Sequence, residues 1–407
     1  MTLPPGTTGT YVADTSLLDV VVPDAASLFP DGPYPAVTTA AAPDLGALAT
    51  RTRAWLAAGI VPGRTDAERE VATRALLDLA MLTEPSGASV ASPFGPWNLV
   101  WPRDASWHAV AFADSGHPDE ARAILGFLAR TQSPDGTWAS RYYPDGSPVA
   151  DNRPRQLDAV GWVPWAVWSW WRGSFDLNGL RTLWPMVAAA ADAAVAGVGA
   201  DGLPRPSADY WEQRESRPTI GTAGPLLLGL RSAAALAGNI GEAAEAEKWS
   251  AASVRLDAGI ARAFGSTGYH RYPTADAGAD SAVTFLAAPL GSPRGQADAV
   301  TAAVRAAETY LQMPSGGLRP GDIPRVGNVA WTPATALFAL AAAARGDEAD
   351  FQRWFGWLAA HRTAVGALPE KVTNSGAPAS VAPLGWTCAI VLLALAARDG
   401  GVASPPP

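Results

Sequence analysis

The chain has 407 residues, of which 48% are hydrophobic and 17% charged, and its formal net charge is −8. This composition excludes a disordered chain, and an acidic balance without any basic tract excludes a nucleic-acid partner. No apolar run reads as a membrane span, the single Cys388 allows no internal disulfide, and four scattered histidines lack ligand spacing, so neither metal nor cofactor is expected.

Residues 1–44 are rich in Pro, Gly, Thr and Ala and read as extended or irregular structure laid on a core. The polar start, Met1-Thr-Leu-Pro-Pro-Gly, resembles a mature terminus behind an added Met. It favours a secreted or cell-envelope protein, with a cytoplasmic one as the alternative. From Leu45 the pattern turns helical and no strand alternation is convincing. A lead-in helix near 45–60 closes the N-terminal extension (1–60). Twelve helices are predicted across 61–400, at 66–82, 102–115, 118–132, 157–173, 178–197, 219–237, 241–263, 279–288, 294–310, 331–345, 347–362 and 383–397.

These segments alternate in character. The odd members carry charged stripes, as in Glu242, Glu245, Glu247, Lys248, Arg255, Asp257 and Arg262. The even members are apolar nearly all round, most clearly Gln156 to Trp171 and Pro383 to Leu395. A helix apolar on every side must be enclosed by protein. Six enclosed helices alternating with six half-exposed ones predict an all-α fold, an (α/α)6 barrel, in one domain.

In such a barrel the loops leading into the inner helices open at one end, and here they carry polar residues in order. They deliver Trp97 and Trp101-Pro-Arg103-Asp104, then Arg153-Pro-Arg-Gln-Leu-Asp158, then Asp209-Tyr-Trp211-Glu212-Gln-Arg214. Asp280 follows, then Arg319-Pro-Gly-Asp322 with Asn328 and Trp331, and last Glu370-Lys371. Asp104, Asp158 and Asp280 each also read as helix caps. Glu212, beside Trp211 at a helix mouth, is a carboxyl disfavoured as an anion by desolvation, which suits a general acid. The chain holds 17 tryptophans, ten of them between Trp97 and Trp184. Such density suits a core and also stacking platforms for sugar rings. Carboxylates on opposite loops, with Arg, Asp and indole between them, describe a pocket for a neutral polyhydroxylated ring.

Over about residues 95–398 the chain resembles glycoside hydrolase family 15, the glucoamylase-like enzymes. Trp101-Pro-Arg-Asp104 is similar to that family's W-x-R-D, and Gln156-Leu-Asp158 with Gly161 to its second block. Asp209-Tyr-Trp-Glu212 is similar to the block carrying the general acid, and Gly317-Leu-Arg319 through Trp331 to the arginine-bearing block. Leu368-Pro-Glu370 through Pro383-Leu-Gly-Trp386 is similar to the block carrying the general base. Pro320 and Gly385-Trp386 depart from the family pattern.

The resemblance implies an exo-acting, inverting hydrolase of terminal α-linked sugars. Glu212 is then the acid and Glu370 the base. Trp101, Arg103, Asp104, Asp158, Trp211, Arg214, Asp280, Arg319 and Trp331 are the expected sugar contacts, and an oligo- or polysaccharide is the partner of a monomer. Three alternatives remain open: a glycoside phosphorylase of similar barrel, a non-catalytic sugar-binding protein, and a cyclase-like toroid suggested by Gln132-Ser-Pro-Asp-Gly-Thr-Trp138. Lys371 pairing with Glu370 would make that carboxylate structural.

Overall fold

The computed structural model describes residues 8–12, 17–21, 45–274, 276–322 and 329–406. Ahead of the helices, strands β1 (Thr8–Val12) and β2 (Leu17–Val21) pair antiparallel, Thr8 opposite Val21 and Val12 opposite Leu17. This hairpin lies where extended or irregular chain was expected, and its pairing is what the sequence did not signal; the rest of 1–44 lies outside the described residues. Helix α1 (Leu45–Ala58) follows.

Five helices are buried along almost their whole length: α3 (Pro102–Asp114), α5 (Ala159–Ser174), α7 (Ile220–Ile240), α10 (Thr332–Ala344) and α12 (Gly385–Ala397). With the 3-10 segment Ser281–Leu286 they close a ring. In it α3 packs on α5, α5 on α7, α7 on the 3-10 segment, that segment on α10, α10 on α12, and α12 back on α3. Six helices with one buried face surround it: α2 (Asp66–Leu82), α4 (Pro118–Thr131), α6 (Leu177–Gly197), α8 (Ala243–Ala263), α9 (Ala297–Leu311) and α11 (Glu348–Ala360). This is the (α/α)6 barrel predicted from the alternation.

One prediction fails in detail. The fourth ring element is a six-residue 3-10 turn, Ser281–Leu286, and not a helix over 279–288. Pro289 and Pro293 follow at once. Proline supplies no N–H and clashes with the preceding turn, so the segment has no length in which to become an α-helix.

Local chemistry sets the boundaries elsewhere. α2 begins in a capping box, Thr65 Oγ1 accepting from Glu68 N–H at 3.2 Å while Glu68 Oε2 accepts from Thr65 N–H at 3.1 Å. α5 and α7 approach closely because both carry glycine at the crossing. A Cβ on Gly229 would stand 2.4 Å from the Gly161 Cα, and one on Gly161 would stand 2.0 Å from the Pro225 carbonyl oxygen. α7 is long and apolar enough to cross a bilayer, which the sequence was not expected to offer. Yet 89% of its apolar window is buried inside the protein, as its place in the ring requires.

The barrel axis is filled with indoles. Trp107 of α3 meets Trp162 and Trp165 of α5 at ring separations of 5.2 and 4.9 Å, and Phe285 closes on Trp162 at 4.9 Å. The interior is therefore a plugged core whose open space lies at one end, among the loops.

Candidate active site

A cavity of about 450 Å³ opens at that end, within the size range of small-molecule sites. Its deep wall starts with α3. Pro102 occupies the first turn, fitting a position whose N–H has no helical partner, so the turn carries Arg103 and Asp104 inward. Both are 5% exposed. The Arg103 guanidinium donates to Gln156 Oε1 at 2.7 Å, lies 3.1 Å from Asp104 and 3.5 Å from Asp158, and sits over the Trp386 ring at 5.0 Å. Burial pushes the Asp104 carboxyl up, against the pull of Arg103. Burial likewise raises Asp158 to about 6, opposed by the same guanidinium. Asp158 is wholly buried and does not line the cavity; it stands behind Arg103 as its counter-charge.

Glu212 comes from the turn before α7. Its N–H donates to the Asp209 carbonyl at 2.8 Å, and its φ of 58° places it in the left-handed region that non-glycine residues seldom occupy. The turn points the carboxylate at the cavity, where Trp101 Nε1 donates to Oε1 and Arg153 Nη1 donates to Oε2. The indole at this carboxylate is therefore that of Trp101, not Trp211, and it offers a donor rather than an apolar face. Two donors make a setting for an anion, unlike the desolvated carboxyl expected from the sequence.

Beneath the turn lies a buried charged network. Arg271, fully buried, pairs with Asp280 at 2.7 Å, Glu215 at 2.7 Å and Asp209 at 3.1 Å. Tyr210 donates its hydroxyl to Asp280, and the Arg271 guanidinium stacks on Trp211 at 4.3 Å. Asp209 in turn accepts from the Trp211 N–H at 3.0 Å and the Thr219 hydroxyl at 2.7 Å. Each carboxylate of the network is hydrogen-bonded within the protein, so the network fixes the shape of the 209–212 turn rather than presenting ligands.

Glu370 is built differently. β4 (Lys371–Val372) pairs with β3 (Ala330–Trp331) on one side and β5 (Pro378–Ala379) on the other, in the order β3-β4-β5. The Glu370 N–H donates to the Val381 carbonyl at 2.8 Å, and its carbonyl accepts from the Thr332 N–H at 3.0 Å. Its side chain is buried yet faces the cavity, and Oε2 accepts from the Ser380 hydroxyl and lies 3.5 Å from Lys371 Nζ. Lys371 itself sits over the Trp331 ring at 4.4 Å.

The cavity gathers seven of the eleven residues singled out from the sequence: Glu212, Glu370, Trp101, Arg103, Asp104, Trp211 and Trp331. Asp158 stands behind the wall. Three others lie elsewhere. Asp280 is buried in the Arg271 network and its side chain accepts from Ala282 N–H at 2.8 Å, so the capping alternative holds for it. Arg319 turns to Asp322 and to the Tyr310 carbonyl at 3.3 Å, leaving Pro320 at the cavity wall. Arg214 is exposed and off the cavity. Asn328 lies outside the described residues.

None of Arg141, Arg153, Tyr210, Lys371 and Trp386, all at the cavity, was among the expected sugar contacts, and neither was Arg271 beneath it. All but Arg141 and Arg271 sit inside the loop motifs, where a rim or supporting role has no signature of its own. The indole N–H groups of Trp211, Trp331 and Trp386 have no hydrogen-bond partner among the described residues. Donors left open around one cavity are what hydroxyl groups would satisfy.

A ring of inner helices with carboxylates and indoles at one open end defines a glucoamylase-like (α/α)6 barrel. No family model matches the chain. It is 24% identical over 351 residues to an uncharacterized glycosyl hydrolase of Methanocaldococcus jannaschii, covering 81% of this chain and 56% of that protein. In structure it is similar to a glycosidase solved as a glutamate-to-alanine variant in complex with glucose. That likeness has a TM-score of 0.71 at 21% identity, over 83% of this chain and 98% of that one. The same glycosidase was solved with a second glutamate replaced by alanine. The chain is also similar to the family 15 glucoamylase of Hypocrea jecorina, with a TM-score of 0.65 at 17% identity over 82% and 71% of the two chains. The resemblance read from the motifs thus holds at the level of the fold.

Proposed function

We propose that the protein is a glycoside hydrolase that removes terminal α-linked sugars with inversion, Glu212 serving as general acid and Glu370 as general base. The observation that carries this reading is that two carboxylates, brought by the loops before the third and sixth ring elements, face one indole-walled cavity. Elements three apart in a six-membered ring stand across from one another. Opposed carboxyl groups leave room for the water that an inverting displacement needs.

The spacing supports the pairing. The two glutamates replaced in the glucose-binding glycosidase are 157 positions apart along that chain, and Glu212 and Glu370 are 158 apart here. Arg103 and Asp104, held rigid at the deep wall, suit the hydroxyls of a terminal sugar, since a guanidinium and a carboxylate together bind a vicinal pair. Glu370 offers Oε1 to a water because Ser380 and Lys371 both engage Oε2.

The test is a reducing-sugar screen over α-glucans, α-disaccharides and bacterial cell-wall polysaccharides, with and without inorganic phosphate. Release of a monosaccharide from chain ends without phosphate is expected. Strict dependence on phosphate would make the enzyme a phosphorylase, and mid-length oligosaccharides at early times would refute exo action.

A further inference from the structure

The rim of the cavity beside Glu212 carries more positive charge than its acid role leaves compensated. Arg153 Nη1 donates to Glu212 Oε2, and its Nε lies 3.7 Å from Asp151 Oδ2. Arg141 donates to that same Asp151 oxygen, sits over the Trp101 ring at 5.5 Å, and keeps a buried Nε with no partner among the described residues. In the structure two guanidiniums therefore meet two carboxylates. A general acid must carry a proton before it can give one. Once Glu212 is protonated, Arg141 and Arg153 share Asp151 alone, and the rim holds an uncompensated positive charge next to the leaving-group oxygen. Burial, and then the charge of Arg141, already pushes the Arg153 guanidinium below its ordinary value.

We infer that Arg153 and Arg141 form an anion site for the leaving group, and that the enzyme acts on glycosides whose departing residue is a sugar acid. A carboxylate there would take Arg153 away from Glu212 through a forked pair of hydrogen bonds, freeing Oε2 to hold the proton it delivers. With a neutral leaving group Arg153 stays on Glu212 and opposes its protonation. Exposure fits a rim position, the Arg153 side chain being 40% exposed where that of Arg103 at the deep wall is 6%.

The inference rests on Glu212 being the acid, and two measurements separate the claims. The first is calorimetric titration with D-glucuronate and, as neutral control, D-glucose. Replacing Glu212 by Gln removes the competing carboxylate. The Glu212→Gln variant should bind glucuronate at least roughly tenfold tighter than the wild type does, and Arg153→Gln should abolish the gain, with glucose unaffected. Glucuronate binding that ignores both changes overturns the anion site, whatever the catalytic roles. The second compares maltobionate with maltose. A kcat/KM preference of roughly tenfold or more for the acid, collapsing toward unity in Arg153→Gln, is expected. Equal cleavage of both by wild type and variant would reject the anion site and leave the hydrolase standing. Cleavage of neither would count against the glucosidase reading, and the titration would still decide the site.

Discussion

The two carboxylates of the cavity are supported in opposite ways. Glu212 rides on a four-residue turn in a left-handed conformation, with its oxygens on Trp101 and Arg153 and its side chain 19% exposed. What holds the turn is the buried Arg271 network beneath it. Glu370 is an extension of a three-stranded sheet, held by backbone hydrogen bonds on both flanks and by Ser380, and its side chain is 9% exposed. The contrast matches a division of labour. A group that meets leaving groups belongs at the rim with exchangeable partners, and one that holds a water belongs deeper with fixed ones.

Removing the carboxylates separates their roles most strongly. Glu212→Gln and Glu370→Gln should each lower kcat on a natural glycoside by roughly 10²–10⁴. The two should part on a substrate with an activated aryl leaving group. The Glu212 variant regains much of its rate there, and the Glu370 variant does not. Equal recovery of both would erase the distinction.

Breaking the support under Glu212 comes next. Arg271→Leu strands Asp209 and Asp280 as unpaired buried carboxylates, a change that costs roughly 3–5 kcal/mol when one partner of a buried pair is removed. Urea unfolding measures it. A variant as stable as the wild type would show that the network is not what fixes the turn.

The support of Glu370 is a smaller target. Ser380→Ala removes one hydrogen bond to a charged oxygen and should lower kcat by roughly tenfold to a hundredfold, leaving the fold intact because the sheet remains. Steady-state kinetics together with a thermal melt distinguish this outcome from unfolding.

The mildest effect is one of pH. Asp158 is raised by burial to about 6, so the folded chain holds a proton that the unfolded chain has already released above the ordinary carboxyl range. Stability from this group is present at low pH and lost as pH rises from about 4 to about 6. Urea titrations at several pH values should show Asp158→Asn losing less stability than the wild type across that window. Parallel curves would mean that Asp158 is ionised throughout.

The comparison also shows what sequence can carry. The ring was legible because a helix enclosed on all sides has to be apolar all round, and α5 and α12 have no other reading. Loops brought to one end by the ring then placed Glu212, Glu370, Arg103 and Asp104 around one space. Side-chain direction was not legible. Arg319 and Asp280 sit in the right loops, but one turns to Asp322 and the other caps the segment after it. The run Ser281 to Leu286 is apolar in either helical form, and only Pro289 and Pro293 hint that it stops after two turns. Arg271 lies ahead of the Gly/Ala-rich turn that leads to Asp280, in a plain His-Arg-Tyr sequence, and nothing local distinguishes a buried arginine from an exposed one.

The division of labour between Glu212 and Glu370 is tested most directly by proton NMR of the sugar first released from an α-linked substrate. If Glu370 activates a water opposite the bond that Glu212 protonates, the β-anomer appears first and the α-anomer grows only by mutarotation. An α-anomer as the first product would mean that the configuration is retained, and the water-activating role of Glu370 would be wrong.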